Sequence, residues 1–179
     1  MNKSLKQKEK WYWIVVAAIE LVLFISSSMT YKQQTSVPFL ERHLGSSKPM
    51  LGFFNQIGFN YGGKFQSIKN DGYYNFVEFF IRKGAHFGTY FLLGLFLCLA
   101  LYTYFYKNNF LKIFVSWMAA TGLAAFDEFH QGLTGGRSPL VVDVILDSFG
   151  ALVAILITVL VVFLIKKHNK KRHPFSMEY

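Results

Sequence analysis

Residues 139–165 read PLVVDVILDSFGALVAILITVLVVFLI, an apolar run interrupted near its start by Asp143 and Asp147 and by little afterwards. A helix rises about 1.5 Å per residue, so roughly 20 apolar residues cross the hydrocarbon of a bilayer. This segment is long enough to span, and no strand-like alternation competes with the helical reading. The two acids need a reason. Ionisable groups inside a spanning helix are costly and face a protein interior or a wet cavity.

Three other segments share this character. One runs from Trp11 to Met29 with Glu20 in its middle, one from Gly84 to Tyr106, and one from Phe110 to Gln131 with polar residues crowding its last turn. The expected fold class is therefore all-α: a polytopic membrane bundle of about four helices, over 11–29, 84–106, 110–131 and 139–165, with an outer amphipathic segment at 30–83. Residues 1–10 and 166–179 form basic tails around a membrane domain at 11–165, and no internal repeat is evident. Composition agrees, with 53% hydrophobic residues, 16% charged and 20 Phe in a chain of 179, a length that suits one domain. The net charge of +9 sits mainly in short flanks of the apolar segments rather than along a polar fold. That favours contact with anionic lipid and argues against nucleic acid. Cys98 is the only cysteine, so it forms no internal disulfide and belongs to no cysteine metal motif.

The basic flanks set the expected orientation. Lys3, Lys6, Lys8 and Lys10 precede the first helix, Lys107 and Lys112 lie at the link between the second and third, and Lys166, Lys167, Lys170, Lys171 and Arg172 follow the fourth. Four helices put all three regions on one side, which should be cytoplasmic, with both termini there. Residues 30–83 and the turn 132–138 then lie outside. The first segment has a rival reading as a signal peptide, with its basic start and its Ser26-Ser27-Ser28, although Glu20 argues against that. In the outer segment, Pro38, Pro49 and several glycines break the chain, while Leu51, Phe53, Phe54, Ile57 and Phe59 are too apolar for a free linker. The run Tyr73 to Ile81 reads as an amphipathic helix leading into the second span, lying in the interface or capping the bundle.

The ionisable residues fall at the same end of three helices. Arg82 and His86 are four apart and share a face, with Lys83 beside them and Tyr90 continuing the face. Asp127 and Gln131 share a face near the end of the third helix, with Glu128 and His130 in the same turn. After Gly135-Gly136-Arg137, Ser138 suits an N-cap and Pro139 the first helical position. Asp143 and Asp147 follow one turn apart, and Gly150 and Ala154 continue their face. At the helical rise Asp143 lies ~6 Å and Asp147 ~12 Å below the start of their helix, Asp127 lies ~6 Å from the end of its own, and Glu20 reaches a depth near that of Asp147. These groups describe a polar pit in the outer half of the bundle.

They could merely pair, Arg82 or Arg137 with Asp127, Asp143 or Asp147, with Gly84 and Gly88, and Gly150 and Ala154, allowing close helix contact. Buried pairs are poor stabilisers, because desolvation largely cancels the attraction, so this many groups point to a function. His86, Asp127, Glu128, His130, Asp143 and Asp147 are of the types that bind a divalent metal or do acid–base work. Arg82, Lys83 and Arg137 suit an anionic group such as a phosphate. No standard zinc motif is present. Glu20 either joins the pit or makes a local helix–helix hydrogen bond.

Phe80-Ile81-Arg82-Lys83-Gly84-Ala85-His86-Phe87 with Tyr90 resembles the Arg-Lys-x-x-His-Phe segment of the VanZ-like family. Asp127-Glu128-Phe129-His130-Gln131 resembles its Asp-Glu-x-x-Gln run, and Gly136-Arg137-Ser138 with Asp143, Asp147 and Gly150 its Gly-Arg and Asp-x-x-x-Asp-x-x-Gly elements. Ser26 to Ser28 with Gln33 or Gln34 is a weaker echo. The resemblance covers Phe76 to Ala154 and implies a multi-pass protein of the bacterial cell membrane. Its founding member is associated with resistance to teicoplanin, a lipoglycopeptide acting on wall precursors at the outer membrane face. The resemblance supplies a biology and no reaction. Three functions stay open: a non-enzymatic envelope protein whose pit binds a lipid-linked wall precursor, an anionic lipid or the antibiotic; an enzyme acting on an envelope lipid or its phosphate, with His86, Asp127, Glu128, Asp143 and Asp147 as catalytic candidates; and a small transporter resting on Glu20 and Asp147. No nucleophile motif such as Gly-x-Ser-x-Gly is present.

Overall fold

The computed structural model describes residues 3–134 and 139–172. In chain order the elements are α1 (Lys3–Ser27), α2 (Tyr31–Gln34), α3 (Val37–Leu44), α4 (Leu51–Phe54), β1 (Gly58–Tyr61), β2 (Lys64–Ser67), α5 (Ile68–Asp71), α6 (Tyr73–Ala100), α7 (Asn109–Leu133) and α8 (Val141–Arg172). Helices α1, α6, α7 and α8 are long and apolar enough to cross a membrane. Much of their apolar surface faces outward. Leu156, Ile157, Leu160, Val161, Phe163, Leu164 and Ile165 of α8 are all exposed, a patch that water would not tolerate and lipid would.

The second span begins and ends earlier than its hydropathy suggests. The amphipathic run from Tyr73 continues into it without a break, because nothing between Ile81 and Gly84 interrupts the backbone hydrogen bonds. At the other end the helix stops at Ala100, and residues 101–107 form turns. Tyr102-Thr103-Tyr104-Phe105-Tyr106 is a β-branched and aromatic run of low helix propensity. Helix α8 starts at Val141 rather than at Pro139.

Helix α6 is the centre of the bundle. It packs most extensively on α8, and also on α1 and α7, while α7 packs on α8. The core gathers Val16 and Leu23 of α1, Tyr90, Leu93 and Leu97 of α6, Ala120 and Ala124 of α7, and Ala151 of α8. Helices α6 and α8 run parallel and almost touch. A Cβ on Gly94 would lie 2.5 Å from the Ala151 carbonyl oxygen, and one on Gly150 2.7 Å from that of Phe87. Gly84 and Gly88, expected at a helix contact, face open space; at 3.6 residues per turn they lie on a different face from Gly94.

The segment between α1 and α6 folds over one end of the bundle, here called the head, where α1 and α7 end and α6 and α8 begin. It contains a β-hairpin that the apolar pattern did not reveal. Tyr61 pairs with Lys64 across Gly62 and Gly63, whose φ values of +57° and +83° are those of the tight turn that matches strand twist. An aromatic cluster holds the head together. Phe54, Phe59 and Phe80 pack around Phe76, and Phe79 packs on Phe59 and Phe80, with ring centroids 5.2–6.4 Å apart where they meet, and Phe76 is wholly buried. The hairpin tip leans across to α8, leaving no room for a Cβ on Gly62 beside the Leu140 side chain.

Candidate functional site

Two polar contacts join α6 to α8, one turn apart. Lys83 Nζ lies 2.5 Å from Asp143 Oδ1, and His86 Nδ1 lies 3.3 Å from Asp147 Oδ2. The parallel packing aligns them, since successive turns of α6 meet successive turns of α8. From the hairpin, Tyr61 donates its hydroxyl to the same Asp143 oxygen at 2.5 Å, and the Lys83 ammonium sits 5.0 Å above the Tyr61 ring. Burial, then the hydrogen bond to Asp143 and its charge, push the Tyr61 phenol far above its ordinary pKa. It therefore remains a proton donor.

Helix α7 closes the third side. Asp127 accepts from Gln131 Nε2 at 2.9 Å. Glu128 accepts the Leu140 backbone N–H at 2.6 Å, satisfying a donor just before α8 that has no partner within the helix. The Tyr90 hydroxyl, Asp147 Oδ1 and Glu20 Oε1 are buried without a hydrogen-bond partner among the described residues.

Arg82 lies 5.1 Å over the Tyr31 ring. Tyr31 donates to Glu78 at 2.9 Å, Thr35 Oγ1 donates to it at 2.8 Å, and the Ser36 backbone N–H also donates to it. Glu78 thus anchors the start of the head segment to α6, and burial followed by this contact raises the Tyr31 pKa. Neither Glu78 nor Tyr61 stands out from the apolar pattern. Glu78 had a signal in its position one helical turn before Arg82, and Tyr61 in the Gly62-Gly63 turn beside it.

These residues line an open cavity of about 720 Å³ between hairpin and bundle, bordered by Tyr31, Tyr61, Lys64, Arg82, Lys83, Glu128, Gln131 and Asp143 among others. A narrower recess of about 40 Å³ is lined by Arg82, Lys83, Glu128, Gln131 and Asp143, which also border the cavity, and by Gln34, His86 and Asp147. Of the residues singled out from sequence, Arg82, Lys83, His86, Glu128, Gln131, Asp143 and Asp147 line one or both spaces. Tyr90, Asp127 and Glu20 lie deeper. Arg137 and Ser138 fall outside the described residues. His130 turns away from the pit. Its Nδ1 is 2.9 Å from Ser27 Oγ and its ring stacks on Phe24, which ties α7 to α1. Among the described residues no three His, Cys, Asp or Glu side chains gather closely enough to hold a metal ion.

The sequence model of the VanZ/LLP1 family matches residues 11–163, a stretch that includes α6, α7, most of α1 and α8, and the whole head segment. Neither a curated protein nor a solved structure matches the chain. With four spanning helices and a match over most of its length, the chain is a multi-pass membrane protein that belongs to the VanZ/LLP1 family.

Proposed function

We propose that the head cavity binds the polar headgroup of a lipid-linked wall precursor at the outer face of the bacterial membrane, with both termini cytoplasmic, and that this binding contributes to resistance to lipoglycopeptides of the teicoplanin type by limiting the drug's access. The observation carrying this reading is the mixed lining of the cavity. Lys64, Arg82 and Lys83 face Asp71, Glu78, Glu128 and Asp143 there, with Gln66, Asn70, Asn75 and Gln131 between them. A simple anionic headgroup would be better served by unpaired bases, yet Lys64 is paired with Asp71 and Lys83 with Asp143. Arg82 makes no salt bridge among the described residues and is the natural contact for one phosphate oxygen pair. The remaining amides, carboxylates and Tyr rings suit sugar hydroxyls and peptide groups, and the volume falls within the range of ligand pockets, roughly 300–1,000 Å³.

Binding of a polyprenyl-pyrophosphate-linked glycopeptide to the protein in nanodiscs tests this. Arg82→Ala should weaken it roughly 10- to 100-fold, the loss of a charge-assisted hydrogen bond. Equal affinity for phosphatidylglycerol, or unchanged binding in both Arg82→Ala and Asp143→Asn, would sink the reading.

A second reading, an enzyme cleaving or transferring an envelope lipid phosphate, rests on the His86–Asp147 pair in the narrower recess. A carboxylate on Nδ1 leaves Nε2 to exchange a proton with a bound group. Turnover of a lipid phosphate that vanishes in His86→Asn while binding persists would favour it over the binder. No product across a panel of lipid-linked substrates would remove it.

A further inference from the structure

The end of the bundle opposite the head, where α1 and α7 begin and α6 and α8 end, carries a recess of its own. Because α6 stops at Ala100, α1 and α8 flank its end, and Tyr102, in the turn that follows, lines the gap. The result is a groove of about 140 Å³ walled by Tyr12 of α1, Leu99 of α6, Tyr102 and Val162 of α8, with Lys8 and Glu9 also in its lining.

Two ammoniums meet the Tyr102 ring. Lys112 Nζ of α7 lies 3.8 Å from its centroid and Lys166 Nζ of α8 lies 4.9 Å from it. Lys166 stands one helical turn beyond Val162 and so continues that wall of the groove. Lys112 is wholly buried and donates to Asn109 Oδ1 at 3.1 Å, an amide that brings no charge. Among the described residues neither of these lysines, nor Lys8, forms a salt bridge. Glu9, the acid in the lining, already accepts from Thr103 Oγ1 at 2.8 Å. The ring quadrupole attracts each ammonium but carries no net charge. The groove therefore sets uncompensated positive charge beside an apolar wall.

We propose that this groove holds one anionic phospholipid, its phosphate against Lys8 and Lys166 and an acyl chain along Tyr12, Leu99 and Val162. Charge and wall together decide the occupant. A soluble anion would leave the apolar surface wet, and a zwitterionic lipid brings its own cation beside the phosphate. Lys112, being buried, touches no ligand; its charge adds to the field that favours the anion. The site lies at the other end of the bundle from the headgroup cavity and does not depend on what that cavity binds.

The full chain in detergent, titrated with dioleoyl-phosphatidylglycerol or dioleoyl-phosphatidylcholine and melted, tests this. Phosphatidylglycerol should raise Tm saturably, by about 3–5 °C at roughly ten times the dissociation constant, and phosphatidylcholine should not. A lysine near an anionic headgroup is worth about fivefold in affinity, so replacing both in Lys8→Gln with Lys166→Gln should move the midpoint roughly 25-fold. Lys32→Gln with Lys48→Gln removes the same charge from exposed positions of the head segment and should leave the midpoint in place. Val162→Phe, which fills the groove and keeps every charge, should also weaken the response. An equal response to the two lipids, equal shifts in the two paired variants, or an unchanged midpoint in Val162→Phe overturns the proposal. So does glycerol phosphate alone reproducing the rise, since a soluble anion would then suffice.

Discussion

Gly94→Ala should damage the site from a distance, and the structure sets the size of the effect. The added Cβ would stand 2.5 Å from the Ala151 carbonyl oxygen and 2.7 Å from its Cα, where ordinary contact begins at 3.4 Å. Both obstacles are backbone, so no side chain can swing away, and α6 must retreat from α8 by ~0.9 Å, the shortfall from ordinary contact. Overpacking of this kind costs about 1–3 kcal/mol. If the helices part as rigid rods, the His86–Asp147 contact, now 3.3 Å, opens towards 4 Å and ceases to be a hydrogen bond. Gly84→Ala supplies the control. It meets open space, so it should be neutral or stabilise the helix by roughly 0.5–1 kcal/mol. Thermal melting and headgroup binding in nanodiscs read both effects. Gly94→Ala should lose stability and affinity together, while Gly84→Ala should lose neither. Equal behaviour of the two variants would refute the close α6–α8 approach as the support of the site.

Tyr61 should stay protonated when the exposed tyrosines ionise. Above pH ~10 the unfolded phenol loses its proton and the folded one keeps it, so the hairpin loses stability as pH rises from there; a 295 nm titration in which Tyr61→Phe removes no late-ionising phenol would contradict this. Asp71 behaves oppositely. Burial alone would raise its pKa, but the Lys64 hydrogen bond and the Ser67 N–H outweigh it and hold the carboxyl below the usual range. Its contribution is present above pH ~4 and is lost as pH falls through the lowered value, so the protection of the Ser67 amide, its exchange measured against the intrinsic rate at each pH, should fall on acidification in wild type and already be low in Asp71→Ala. Glu128→Ala strands the Leu140 N–H and should cost about 1–3 kcal/mol in a melting experiment; an unchanged Tm would deny that contact its role in starting α8. Ser27→Ala breaks the link to His130 and should lower Tm without altering headgroup affinity, because His130 points away from the pit.

The spans and the pit were legible because each has a strong physical signature. Hydrophobic length marks a spanning helix almost regardless of its neighbours, and helical spacing sets Asp143 and Asp147 on one face; the same spacing paired His86 with Arg82, whereas it is Lys83 that meets Asp143 while Arg82 lies over Tyr31. What escaped depends on tertiary contact. Glycines at four-residue spacing pointed to Gly84 and Gly88, but only the direction in which α8 lies decides that Gly94 makes the approach. Glu78 sits in an aromatic run whose pattern says only "amphipathic", and its partners Tyr31, Thr35 and Ser36 come from more than forty residues away in sequence. The hairpin is four residues per strand, too short for alternation to emerge from an aromatic-rich background.

The α6–α8 seam changes character along its length. Its lower half is sealed by direct backbone approach at Gly94 and Gly150, which needs no charge and suits lipid-embedded packing. Its upper half substitutes Lys83–Asp143 and His86–Asp147 for such contact, although apolar pairs there would hold the helices at least as well. Were cohesion the purpose, the close packing would continue to the head. Instead it gives way where the hairpin brings Tyr61 down onto Asp143, so that a residue from outside the bundle shares an acceptor with a residue inside it. A ligand that takes Asp143 Oδ1 competes with both Tyr61 and Lys83, which share that oxygen, and thereby acts at once on the hairpin and on the helix seam.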